Sequence, residues 1–141
     1  MPAPRRLIRP MSIDDIPPCL ELWVGSEGLV LRDEYDHPLA LERFLQRNPR
    51  TSFVATQDHQ IIGGLLGGHD GRRGYLYHLA VQPEQRRSGC ATALFEASAL
   101  ALAHEGIGRC HAYVTIKNVA AQKFWESVSA RRRDDIFVMT C

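Results

Sequence analysis

The chain has 141 residues and a formal net charge of +1, from 17 lysines and arginines against 16 aspartates and glutamates. That balance excludes the basic footprint of a nucleic-acid binder, and the length fits one domain over residues 1–141, with 1–6 as a loose tail. Hydrophobic residues at 45% suffice for a core. No apolar stretch is long enough to cross a membrane, and the opening Met-Pro-Ala-Pro-Arg-Arg has no apolar run behind it, so no signal peptide is expected. The cysteines, Cys19, Cys90, Cys110 and Cys141, form no C-x-x-C pair, and no histidine stands at finger spacing, so no metal site is expected. The reading is a reduced, cytoplasmic protein with free thiols. All but two of its basic residues are arginines; the exceptions are Lys117 and Lys123.

In chain order, Leu7-Ile8-Arg9 reads as an edge strand stopped by Pro10. Ser12-Ile13-Asp14-Asp15 supplies cap residues, and Pro17 and Pro18 fit only the first turn of the helix that follows. Ile16, Leu20, Trp23 and Val24 give that helix a buried stripe, and Gly25 and Gly28 end it. Pro38 starts a second helix with Leu41, Phe44 and Leu45 on one side, closed by Asn48-Pro49. The period then changes. Residues 52–56 are a strand, Asp58-His59 the turn, and 60–66 the hairpin partner. A polar loop at 69–74 leads to an alternating strand over 75–81, stopped by Pro83. A long helix over 89–104 is expected to bury Ala91, Phe95, Ala99 and Leu102, with Gly106 as its C-cap. Strand 110–116, helix 118–127 and a last strand 136–140 complete the order β-α-α-β-β-β-α-β-α-β. Hairpins followed by crossovers predict a mixed α/β sheet of six to seven strands flanked by about four helices.

The chemistry concentrates in residues 77–92. A strand runs through Gln85-Arg86-Arg87-Ser88-Gly89-Cys90-Ala91-Thr92 into a helix start. Helix starts present unpaired amides and partial positive charge, and a glycine there lets backbone approach an anion closely. Arg86 and Arg87 could add contacts to a phosphate. The alternative is an ordinary strand-to-helix turn. Neither a Walker A loop nor the dinucleotide G-x-G-x-x-G fingerprint is present.

Arg86-Arg87-Ser88-Gly89-Cys90-Ala91 resembles the R/Q-x-x-G-x-G/A signature of the GNAT superfamily of N-acetyltransferases. Asn118-Val119-Ala120-Ala121-Gln122-Lys123-Phe124-Trp125-Glu126 resembles that family's N-x-x-A-x-x-F-Y-E helix, and residues 75–83 its L-x-V-x-P approach to the signature. The element order also matches. The resemblance implies that acetyl-CoA is the cosubstrate, with no metal, and that the amides from Arg86 to Ala91, including Arg87, Ser88, Gly89 and Cys90, grip its pyrophosphate, with Thr92 also among the cofactor-binding residues. It implies that the strand with Leu79, Ala80 and Val81 splays from residues 110–116 so that pantetheine slots between them. The amide near Leu79 would then polarise the thioester carbonyl. Asn118, Ala121, Phe124 and Trp125 would line the pantetheine arm, although Asn118 is an equally natural helix cap. Trp125 departs from the tyrosine many members use to protonate the leaving thiolate, and an indole cannot replace it; solvent, Tyr113 or His111 are the other proton sources. Ser129-Ala130 stands where members usually have Gly-Phe, so Ser129 must adopt a turn that suits glycine.

The general base is open between Tyr75, a phenol with a pKa of about 10, and His78, which titrates in the useful range. Alternation puts Tyr75, Tyr77 and Leu79 on one face and Leu76 and His78 on the other, unless a bulge intervenes. The loop with Glu27, Asp33, Glu34, Asp36 and His37 offers further bases, and its acidity fits a cationic acceptor. Cys90, at a helix start, is a candidate for a lowered thiol pKa and a covalent acetyl route. The expected activity is acetyl transfer to a primary amine of a small molecule or peptide. The alternatives are a CoA-binding module without turnover and an unrelated nucleotide binder. The short C-terminal region leaves two outcomes: trimmed last strands, or a homodimer completing the sheet edge.

Overall fold

The computed structural model describes residues 5–141. Of the expected tail, residues 1–4 lie outside the described residues, and Arg6 already belongs to the first strand, β1 (Arg6–Pro10). Ser12 and Asp15 then close a capping box over a short 3-10 turn, and Asp15 accepts both guanidinium bonds of Arg9 at 2.7 and 2.8 Å. Helix α1 (Ile16–Val24) follows with its prolines in the first turn, and α2 (Pro38–Arg47) is capped by the His37 ring. A meander comes next: β2 (Phe53–Gln57), β3 (Gln60–His69) and β4 (Gly74–Val81). Asp58 and His59 turn the first hairpin with φ of 50° and 67°, the positive values that match strand twist. Helix α3 (Cys90–His104) crosses over to β5 (Cys110–Ala112), and α4 (Val119–Ser127) comes last.

The sheet order is β1-β2-β3-β4-β5, antiparallel except for the parallel β4–β5 pair. One face packs Trp23, Cys19 and Ile16 of α1 and Leu41 and Leu45 of α2 on Val54 and Leu66. The other packs Leu94 and Leu102 of α3 on Ala55, Leu65 and Leu76. The mixed α/β class is therefore as the sequence predicts, with five strands in place of six or seven.

Several local expectations need correction. Among the described residues 136–140 form no strand. The preceding Arg131-Arg132-Arg133-Asp134-Asp135 run closes on itself through Arg132–Asp134 and Arg133–Asp135 pairs at 3.1 and 2.8 Å. The apolar segment that follows is exposed, with Phe137 at 91%. Strand β5 stops at Ala112 rather than 116. Val24 is 72% exposed, and Cys19 takes its place in the α1 stripe. On α3 the buried face is Cys90, Leu94, Ser98 and Leu102, not Ala91, Phe95 and Ala99. Alanines surround that helix, so apolar spacing does not single out a face. What selects it is close approach to β3: a Cβ on Gly67 would collide with the Ser98 hydroxyl and the Thr51 carbonyl, and that hydroxyl donates to the Thr51 carbonyl at 2.6 Å.

Candidate active-site cleft

Strand β4 carries the site because its regularity breaks at His78. Leu66 lies opposite Tyr77 and Gly64 opposite Ala80, so His78 and Leu79 together face Leu65. His78 takes up the extra residue with φ of 57°, a left-handed value uncommon for a non-glycine residue. The bulge changes the expected alternation. Tyr77 and His78 both face α1 and α2, where the imidazole lies 5.3 Å from the Trp23 ring. Leu79 joins Leu76 in the opposite core. The His78 Nε2 lies 2.8 Å from Asp36 Oδ1, and the other Asp36 oxygen accepts the Arg32 amide at 2.8 Å. Asp36 is only 8% exposed. A carboxylate oxygen can only accept, so an ionised Asp36 takes its bond from Nε2–H.

The same break opens the sheet. Pairing of β4 with β5 ends at Leu76 opposite Ala112. Farther along, Gln82 donates to the Ile62 carbonyl at 2.8 Å. Antiparallel alternation then turns the main-chain groups of Ala80 towards β3, and those of Leu79 and Val81 towards the unpaired edge.

At the end of that edge the chain turns into α3. Gln85 and Arg86 donate their amides back to Gln82 and Pro83, and Ala93 donates to Gly89. Between them, the amides of residues 87–92 find no acceptor among the described residues. Arg87 at φ 60° and Gly89 at φ 82° both take left-handed values, and turns of this kind curve successive N–H groups into a concavity suited to an anion. A Cβ on Gly89 would meet nothing within 4 Å, so the space before the turn is open. Arg6, across the sheet edge, holds the turn from behind by donating to the carbonyl and hydroxyl of Ser88 at 3.0 and 3.1 Å.

These features share one cleft of about 1890 Å³, lined on one side by Leu79, Ala80, Val81 and the turn with Arg86, Arg87, Gly89, Cys90, Ala91 and Thr92. Ser88 points instead to Arg6 and the Gln85 carbonyl. From the far wall come Ala112 and Tyr113 and, on α4, Asn118, Ala121, Phe124 and Trp125. Asn118 caps α4 by accepting the Ala121 amide at 3.1 Å, and its amide group abuts Gly28 of the α1–α2 loop, where a Cβ would collide with it. Trp125 stands edge-on to Phe95 and Phe124, with centroids at 5.7 and 5.2 Å.

Not every candidate enters the cleft. Tyr75 stacks on Tyr77 at 6.3 Å and lines a separate recess of about 200 Å³. Tyr77, shared by both spaces, is pushed up to about 12 by burial and the neighbouring tyrosines. Glu27, Glu34 and Asp36 line the cleft, whereas His37 is spent on capping α2 through the Ala40 amide at 3.2 Å. Cys90 reverses its expectation: it is 1% exposed, and burial pushes its thiol up, so no reactive thiolate forms there. The loop at 69–74 is occupied by its own turn, with the Asp70 carboxylate accepting the Arg72 and Arg73 amides at 2.8 Å each.

Sequence reasoning missed Arg6, for which nothing in the local pattern signals a reach to Ser88, and Trp23 as the wall behind His78. It also missed Lys117 and Lys123. Both lysines of the chain line the cleft, and their rarity was the available signal.

The chain belongs to the acetyltransferase (GNAT) family, whose model matches residues 17–129, and it is an acyltransferase of the GNAT type. It is 32% identical over 129 residues to Acetyltransferase ECA0875 of Pectobacterium atrosepticum, covering 92% of this chain and 90% of that one. Among solved structures it is similar to the aminoglycoside N-acetyltransferase AAC(6')-Iy in complex with CoA. The TM-score there is 0.78 at 20% identity, over 99% of this chain and 97% of the other. It also resembles the diaminobutyrate acetyltransferase EctA of Paenibacillus lautus, solved with its substrate and coenzyme A. That match has a TM-score of 0.75 at 18% identity, over 90% of this chain and 76% of the other. At such identities the two structures establish the shared fold.

Proposed function

We propose that the protein is a single-domain cytoplasmic N-acetyltransferase that moves the acetyl group of acetyl-CoA to a primary amine by direct attack. One observation carries this reading: the open amide turn, the parted edge of β4 and the His78–Asp36 pair all border the same cleft. The residues present suit coenzyme A. The unpartnered amides of 87–92, with Arg86 and Arg87, would hold its diphosphate. The unpaired edge at Leu79 and Val81 would pair with the pantetheine amides, and Phe124 and Trp125 would wall the arm. Acetyl-CoA supplies an activated acyl carbon and a thiol leaving group.

On this reading His78 is the general base, with Nδ1 accepting the proton of the attacking amine as the C–N bond forms and the C–S bond breaks. Asp36 fixes the imidazole's orientation and stabilises its protonated form, as a carboxylate does behind a catalytic histidine. The Leu79 amide stabilises the developing oxyanion. Trp125 lacks a transferable proton, so the thiolate takes its proton from water, as a thiol with pKa of about 8.5 readily does. The free cysteines support the cytoplasmic assignment.

The test is acetyl-CoA-dependent thiol release and acetyl transfer over an amine panel. His78→Gln should lower kcat by about 10²–10⁴ with CoA affinity unchanged. Full activity of that variant would remove His78 from the chemistry. Wild-type protein that binds CoA yet acetylates no amine would instead indicate a binding module.

A further inference from the structure

The acetyl-transfer reading leaves the acceptor open, and the acceptor end of the cleft has a charge pattern of its own. Seven arginine and lysine side chains line the whole cleft against three carboxylates, although the chain as a whole is nearly balanced. Two of the seven, Arg86 and Arg87, stand on the turn into α3, where phosphate groups would lie, while Lys117 precedes α4 and Lys123 lies on it. Arg32, Arg43 and Arg47 stand on the other side, on or beside α2.

Arg43 and Arg47 lie one helical turn apart, on the same face of α2 as each other. Neither forms an ion pair among the described residues. Asp36, the buried carboxylate nearby, is already taken by His78 and the Arg32 amide. Between the two arginines in sequence sits Phe44, whose ring stands edge-on to Tyr77 at 6.2 Å, and Tyr77 immediately precedes His78. Phe44 thus packs α2 against the strand that carries His78, and Arg43, Arg47 and His78 border the same cleft. Arg47, Phe44, Tyr75 and Tyr77 also border the adjoining recess of about 200 Å³, room for a side chain of modest size.

We propose that the acceptor is a free amino acid, whose carboxylate is held by Arg43 and Arg47 while its amine faces His78. This inference rests on the acetyl-transfer reading and narrows it. Guanidinium groups match carboxylates in a planar, two-bonded geometry. On this side the three arginines stand against three carboxylates, Glu27, Glu34 and Asp36, of which Asp36 is already taken by His78, so a polycationic amine would meet two remaining carboxylates and three guanidinium groups. The acidic character of the α1–α2 loop, which the sequence suggested would favour a cation, is offset in the cleft by these arginines.

The experiment compares each standard amino acid with its carboxamide, which keeps the amine and side chain and removes the charge; spermidine and kanamycin complete the panel. For the preferred side chain, the free acid should exceed its carboxamide in kcat/KM by about 10- to 100-fold. Arg43→Gln and Arg47→Gln should raise KM for the acid about 10-fold or more and for the carboxamide by much less, so that the acid's advantage is lost, with CoA affinity unchanged by calorimetry. Equal or faster turnover of the carboxamide overturns the inference, as does equal damage by the arginine variants to both forms. Acetylation confined to spermidine or kanamycin overturns it while acetyl transfer itself stands. Acetylation of no amine at all removes both readings.

Discussion

Gly89→Ala separates the cost of a backbone conformation from its function. Gly89 sits at φ 82°, and a Cβ there meets nothing within 4 Å. The folded-state penalty is therefore that of a left-handed L-residue alone, about 1–2 kcal/mol, or a fall in Tm of about 3–6 °C for a chain of this size. Gly106 is a matched control at the far end of α3, with φ 85° and equally open space. Gly106→Ala should lose the same stability. The two variants should part company on ligand binding. The methyl at 89 intrudes on the space before the amides of 87–92, and relaxation out of the left-handed region re-aims them. Losing one charge-assisted amide bond is worth about 1.5–3 kcal/mol, so the Kd for CoA should rise about 10- to 100-fold with Gly89→Ala and stay put with Gly106→Ala. Thermal denaturation followed by circular dichroism gives the first quantity and calorimetric titration with CoA the second. Equal CoA affinity in the two variants would refute the diphosphate seat at this turn.

Three further outcomes follow from the geometry. Ser129 holds φ 71° on an exposed turn, so Ser129→Gly should stabilise the protein by about 1 kcal/mol in denaturant unfolding; an unchanged midpoint would count against the strain. Arg6→Ala removes both bonds to Ser88 and should lower stability by about 1 kcal/mol while weakening CoA binding, with turnover at saturating CoA preserved. Burial raises the Asp15 carboxyl, but bonds from Arg9 and Ser12 outweigh it and hold the group below its ordinary range. A depressed carboxylate stabilises the fold fully above its unfolded pKa, about 3.9, and loses that contribution as pH falls through the folded value. Asp15→Asn should therefore flatten the acid limb of the stability–pH curve and leave a deficit at neutral pH.

The sequence carried the elements with strong punctuation. The paired prolines before α1, the Asp58-His59 turn, the Gly106 cap and the Asn118 start each impose a local geometry that tertiary packing leaves intact. The turn into α3, with its unpartnered amides, was legible for the same reason, since it is a property of contiguous backbone. What failed depended on distant partners. The α3 face is chosen by a glycine on β3, and the 136–140 segment is apolar and β-branched yet lacks a neighbour to pair with. The site divides the same way: His78 could be named from its chemistry, but its partner is 42 positions away, and its face depended on a bulge that no local residue type announces.

That bulge has a consequence for anyone transplanting or aligning this strand. Before it, the odd-numbered positions of β4 belong to the α1–α2 layer; after it, the even-numbered ones do, with Ala80 in that core and Leu79 in the other. Excising His78 would delete more than an imidazole: it would restore an unbroken two-residue repeat, straightening the strand towards β5 and narrowing the gap itself. The imidazole beside Asp36 and the gap beside β5 thus stand or fall together on a single inserted residue.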